Sequence, residues 1–176
     1  MEGLVLGLAA GAAGTVAMGG YWRAATALAG EDPRVATRGE GPHPLDDIAL
    51  IGKHHEEEES STAAMGRIAY DRLAGHPPQQ AETKSTLGYL VHYGYGALQG
   101  GVFGVLPAFN KMTTLAAGPV FGTGLWLFGD ELAISLLGLA NGPGMYPLRQ
   151  HLHRWGAHLT YGLTVAASVK LLRRLL

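Results

Sequence analysis

The chain contains no cysteine, which excludes disulfides, thiolate metal ligation, iron–sulfur clusters and thiol catalysis. Charge is scarce too: Asp, Glu, Lys and Arg make up 15% of the 176 residues, and most of them fall between Arg23 and Lys84. The signs nearly cancel, with 13 Lys and Arg against 14 Asp and Glu. No basic stripe interleaved with aromatics is present, and nucleic acid is excluded as a partner on that ground. A nucleophile elbow, a phosphate loop, a HExxH helix and a paired-carboxylate arrangement are also missing, so the sequence points away from an enzyme. Glu2 stands where a cleaved signal would carry a basic residue, so the first apolar run reads as a retained helix.

What remains is long uncharged stretches. Gly3 to Trp22 holds no charge, and such a run is long enough to span about 30 Å of hydrocarbon at about 1.5 Å per residue. Similar stretches follow, and the spans expected are about 3–22, 86–108, 113–139 and 152–172. Pro107 lies near the end of the second, and the turn-rich Asn141-Gly142-Pro143-Gly144 follows the third. Lys170, Arg173 and Arg174 close the fourth as basic anchors. The fold expected is therefore all-α, a single membrane domain built as a four-helix bundle, with an extramembrane loop over about 23–85. Within that loop Leu45–His55 and Ser61–Leu73 are spaced as short amphipathic helices. Glu56 to Glu59 and His76-Pro77-Pro78-Gln79-Gln80 read as solvated linker. Nine Lys and Arg fall on the side of the long loop and four on the side of the termini, yet the compact C-terminal cluster argues the reverse, so orientation stays open.

Glycine recurs at intervals of four: Gly3, Gly7 and Gly11, then Gly96, Gly100 and Gly104, then Gly118 and Gly122. In lipid the hydrophobic effect does not press helices together, and small residues let backbones approach until dispersion contacts do so. The stripe serves either contacts within one monomer or a homo-oligomer seam.

Polar residues at membrane depth form the candidate site: His92, Gln99, Asp130, Glu131, His158 and Tyr161. A carboxylate near a span's centre costs about 2.5–3.5 kcal/mol, so Asp130 or Glu131 calls for a partner, with His92 and His158 the natural ones. One reading is an interhelical hydrogen-bond network. The other is a site that handles protons or a small solute, since a carboxylate beside a histidine can exchange protons near neutral pH. No cofactor is favoured; haem between His92 and His158, or a transition metal, is the alternative. The His54, His55 and Glu56–Glu59 run reads as a solvated acidic face before it reads as a metal site. His151, Arg154 and Trp155 are placed at the headgroup level, facing membrane lipids.

Three runs carry a resemblance: Val-His-Tyr-Gly-Tyr-Gly (Val91–Gly96), Gly-Pro-Val-Phe-Gly-Thr-Gly-Leu-Trp (Gly118–Trp126) and Ala-His-Leu-Thr-Tyr-Gly (Ala157–Gly162). With the glycine-rich first helix, they make residues 89–172 similar to the YagU-like group of small bacterial inner-membrane proteins. That resemblance implies a multi-pass location in the bacterial inner membrane and no assigned activity. Asp130-Glu131 stands where the group's pattern leads one to expect His.

Overall fold

The computed structural model describes residues 1–35 and 41–175. Residues 36–40, inside the expected loop, lie outside the described residues. Among the described residues the chain is all-helical, with no strand. The long elements are α1 (Glu2–Ala29), α2 (Ser61–Ala74), α3 (Ala81–Val105), α5 (Thr114–Gly124) and α7 (Leu148–Leu175), with short α4 (Pro107–Asn110) and α6 (Ile134–Leu136) between them. One of these, α1, is long and apolar enough to cross a membrane by length and composition.

Local chemistry sets the ends. Gly30 adopts a left-handed φ of 76° and its N–H closes α1 onto the Thr26 carbonyl. Gly75 does the same for α2 on Asp71, and Ser60 caps its start by accepting from the Ala63 N–H at 3.3 Å. The ring of Pro107 keeps Leu106 out of the helical region, at φ −78° and ψ 115°, and α3 stops there. One carbonyl left unpaired by that stop, that of Gly104, accepts from Arg173 Nη2 at 2.8 Å.

The expected third span is not one α-helix. After α5 the backbone widens into a π-helical segment, Leu125–Ala133, before α6. The expected helix over 45–55 is also absent. Gly52 turns the chain with φ +89°. The backbone N–H groups of Leu50 and His54 donate to the carbonyls of Leu136 and Gly138 at 2.9 and 2.8 Å, not to their own previous turn.

The chain forms two compact units. The first comprises Met1–Ala36, Gly94–Leu127 and Pro147–Leu176. Here α1 meets the second half of α3 backbone to backbone: a Cβ built on Gly7 would strike the Gly100 carbonyl, and one on Gly11 the Gly96 carbonyl. On the other flank a Cβ on Gly118 would come within 2.7 Å of Leu163 Cα, and one on Gly122 would strike the His158 carbonyl. Glycine is thus required where α5 lies on α7. Phe103 stacks on Phe109 at 4.9 Å and Phe121 meets both edge-on at 5.1 and 5.3 Å, beside a core that includes Ala10, Ala117, Val165 and Val169.

The second unit comprises Thr37–Tyr93 and Phe128–Tyr146. In it α2 lies on the first half of α3, where a Cβ on Gly66 would sit 2.8 Å from Leu87 Cβ. The loop before α2 is bound to the segment after α6: the Gly138 carbonyl accepts from the His54 and His55 N–H groups and from His55 Nδ1, at 2.8–3.1 Å. Gly138 itself has φ +65° and faces the Gly52 carbonyl, leaving no room for a side chain.

Candidate functional site

The candidate polar residues are divided between the two units. Gln99, His158 and Tyr161 belong to the first unit, and His92, Asp130 and Glu131 to the second.

In the first unit Tyr161 is 2% exposed and its phenol donates to the Gly96 carbonyl at 2.6 Å. The ring occupies the notch left by Gly14, where a Cβ would lie 2.8 Å from it. Thr15 donates to the Gly11 carbonyl at 3.0 Å and also crowds Gly96. His158 Nδ1 donates to the Arg154 carbonyl one turn back, at 2.8 Å, which fixes the proton on that nitrogen. Gln99 is half-buried one turn beyond Gly96. The Thr15 and His158 bonds return to carbonyls of their own helices, whereas the Tyr161 bond ties α7 to α3, the kind of contact that locks helices together. Tyr161→Phe removes one buried donor while leaving the ring in place. The expected loss is about 1 kcal/mol, read as a lower thermal midpoint.

In the second unit Glu131 is 6% exposed and Asp130 half-buried, both on the π-helical segment. His92 is half-buried on α3, its ring edge-on to Tyr93 at 6.0 Å. A π-helix bonds i to i+5, so it turns successive side chains by less than an α-helix does and re-aims them; such segments recur at functional sites. The sequence has no signal for it.

Glu56 and Glu59, expected as solvated linker, are ion-paired in this unit. Arg67 reaches Glu59 at 2.8 Å and Glu56 at 3.4 Å, Lys84 reaches Glu56 at 3.0 Å, and Arg67 also donates to the His54 carbonyl at 2.6 Å. The side chains of Arg67 and Glu59 are 15% and 8% exposed. Burial pushes Glu59 up, but its hydrogen bonds with Arg67 and the Glu56 N–H outweigh that and hold the carboxyl below its usual range. The signal was available: an acidic run just before a helix whose half-buried face carries Arg67. His54 and His55 are occupied in the same region, His54 Nε2 by the Ile51 carbonyl at 3.0 Å, His55 Nδ1 by Gly138 at 2.9 Å and Nε2 by Asn141 at 3.1 Å. No helix pairs them with Glu58 and Glu59. Among the described residues no group of three or more His, Asp or Glu is arranged to hold a metal.

One further cluster, at the end of α1, belongs to the first unit. The 3-10 turn Pro33–Val35 buries Pro33, and the Arg34 carbonyl accepts from Gln150 Nε2 at 2.7 Å. Arg34 lies over the Trp22 ring at 5.4 Å and pairs with Asp32, whose carboxyl that hydrogen bond holds below its usual range. Tyr21 Oη meets His153 Nδ1 at 3.2 Å, and Arg149 meets Glu31 at 2.9 Å. Of the residues expected at the headgroup level, His151 and Arg154 are half-buried on the first turns of α7. Trp155 is more exposed and donates to Thr123 Oγ1 at 3.0 Å. Comparison with protein-family models, curated proteins and solved structures finds no match to this chain.

Proposed function

We propose that the chain is a multi-pass protein of the bacterial inner membrane, YagU-like in character, with four spans, in which glycine seams and inward polar residues hold the helices in register. Its role is interaction with membrane components, not catalysis. The observation that supports this is the distribution of side chains around the first unit. Val5, Val16, Leu98, Val102, Leu115 and Val120 are exposed, while Gly7, Gly11, Gly100, Thr15 and Tyr161 face the interior. Water penalises such a surface and acyl chains do not.

The test is extraction and topology. Membranes carrying the chain are washed at high pH and floated, and reporters are fused at both termini and in each connection. Retention in the floated fraction, with reporters alternating across four crossings, is the expected result. Recovery as a compact particle in water without detergent overturns the reading.

A second reading has its own support. A nine-residue π-helical segment with Glu131 buried on it is an unusual place for a carboxylate that serves packing alone. On this reading Glu131 and Asp130 handle a proton or small solute. The purified chain and its E131Q and D130N variants, unfolded across pH 5 to 8, decide the matter: superimposable profiles leave the acids as structural groups.

A further inference from the structure

The first unit has two unlike ends. At one, Gly3 of α1, Gly104 of α3 and Arg173 of α7 meet: a Cβ on Gly3 would lie 2.6 Å from the Gly104 carbonyl oxygen and 3.4 Å from Arg173 Nη2. At the other, Tyr21 and Trp22 of α1 lie against His153 of α7. The rise from Gly3 to Trp22 on α1, and from Trp155 to Arg173 on α7, is in each case about 27–29 Å at about 1.5 Å per residue, close to the thickness of a hydrocarbon core. On the membrane reading above, on which this inference rests, both ends therefore lie at headgroup level. The aromatic anchors are gathered at one of them, in Tyr21, Trp22, Trp126 and Trp155, whereas residues 1–5, 103–115 and 169–175, which form the other, hold no Tyr or Trp. Cations stand there instead: Lys111, Lys170, Arg173 and Arg174, against a single acid, Glu2. Lys111, Lys170 and Arg174 are exposed, and none of the three is ion-paired among the described residues. At the aromatic end Arg34 and Arg149 are engaged by Asp32 and Glu31.

We propose that the cationic end docks on anionic phospholipid headgroups, with Lys111, Lys170 and Arg174 reaching their phosphates. Aromatic rings are held at an interface by their amphipathic character and accept any headgroup, whereas ammonium and guanidinium groups gain most where the lipid is anionic. The turn that carries Lys111 is fixed to the bundle at this level. Phe109 and Met112, on either side of it, pack against the core cluster that contains Val169, the residue before Lys170. Leu4, Leu106, Leu115, Leu171 and Leu175 are exposed at the same end. The stems of Lys and Arg lie along such apolar surface while their heads reach outward to phosphate. A phospholipid meets both features, its phosphate level with the cations and its acyl chains beside the leucines. A water-soluble anion offers the first contact alone.

The delipidated full-length protein in neutral detergent is titrated by calorimetry with short-chain phosphatidylglycerol, short-chain phosphatidylcholine, glycerol 3-phosphate and a short polyglutamate peptide. Phosphatidylglycerol is expected to bind tightest of the four. K111Q, K170Q and R174Q should each weaken it by about fivefold, and R149Q, at the aromatic end, by less than about twofold. E2Q, which removes the opposing charge, should strengthen it by about twofold or more, a gain that a misfolded variant cannot give. Equal affinity for the two lipids, an unchanged affinity when all three cations are replaced, or a loss in R149Q as large as that in R174Q overturns the assignment. So does glycerol 3-phosphate or the peptide binding as tightly as phosphatidylglycerol, since a lipid is then not what this end recognises. Each of these outcomes leaves the membrane reading standing. Failure of the untreated protein to float with vesicles overturns that reading instead.

Discussion

Gly100→Ala should destabilise the first unit by about 3 kcal/mol or more, among the largest effects of any single methyl group in the chain. The added Cβ would run into the Gly7 carbonyl and the Gly11 backbone, and no rotamer can relieve a clash with main chain. Either α1 and α3 separate, losing dispersion contacts along Gly3, Gly7 and Gly11 together, or the seam slips in register. Gly20→Ala on α1 and Gly94→Ala on α3 are the controls. Nothing lies within 4 Å of a Cβ at either site. Replacing helical glycine with alanine there should be neutral or stabilising by about 0.5–1 kcal/mol. Thermal unfolding of the three variants in the same detergent checks the contrast. If Gly100→Ala and Gly94→Ala behave alike, close backbone approach does not hold this unit together.

That seam was legible because its cause is local and periodic. A side chain missing every fourth residue leaves a flat stripe whatever helix it meets, and the sequence showed the stripes at Gly3–Gly11, Gly96–Gly104 and Gly118–Gly122. It could not show that the first two stripes face one another while the third meets α7, because partner choice depends on the whole packing. The loop between α1 and α3 was read less well. Ile48, Leu50 and Ile51 have helical spacing, yet the segment's N–H groups find acceptors at Leu136 and Gly138, far along the chain. Propensity loses to a tertiary hydrogen bond in such a place. The π-helical turn under Asp130 and Glu131 was illegible for another reason: it differs from an α-helix by one residue of register, and no side chain in Leu125–Ala133 demands it. The candidate polar residues were singled out in the sequence by the cost of polar groups in apolar stretches. Their allotment to two units was not legible there.

Arg67→Met should cost the second unit about 3 kcal/mol at neutral pH, because it strands Glu59 as a nearly buried charge without its partner. The same change made together with Glu59→Leu should cost much less than the two single costs added, since neither side chain then needs the other. The pH dependence has a definite sign. Glu59 is held below its usual range in the folded chain, so the unfolded chain binds the proton more readily. Its contribution is therefore complete above the ordinary glutamate value of about 4.3 and disappears as the pH falls through the lower folded value. Denaturant unfolding of the parent chain should weaken on acidification through that window. In the double variant this part of the slope should be absent. Lys84 sharpens the expectation, since it bridges to Glu56 from α3 at 3.0 Å and ties the network to a second helix. Lys84→Met, which removes an exposed pair, should change stability by no more than about 1 kcal/mol. An equal loss from Lys84→Met and Arg67→Met would mean that total charge, not the buried Arg67–Glu59 contact, anchors α2 to the loop before it.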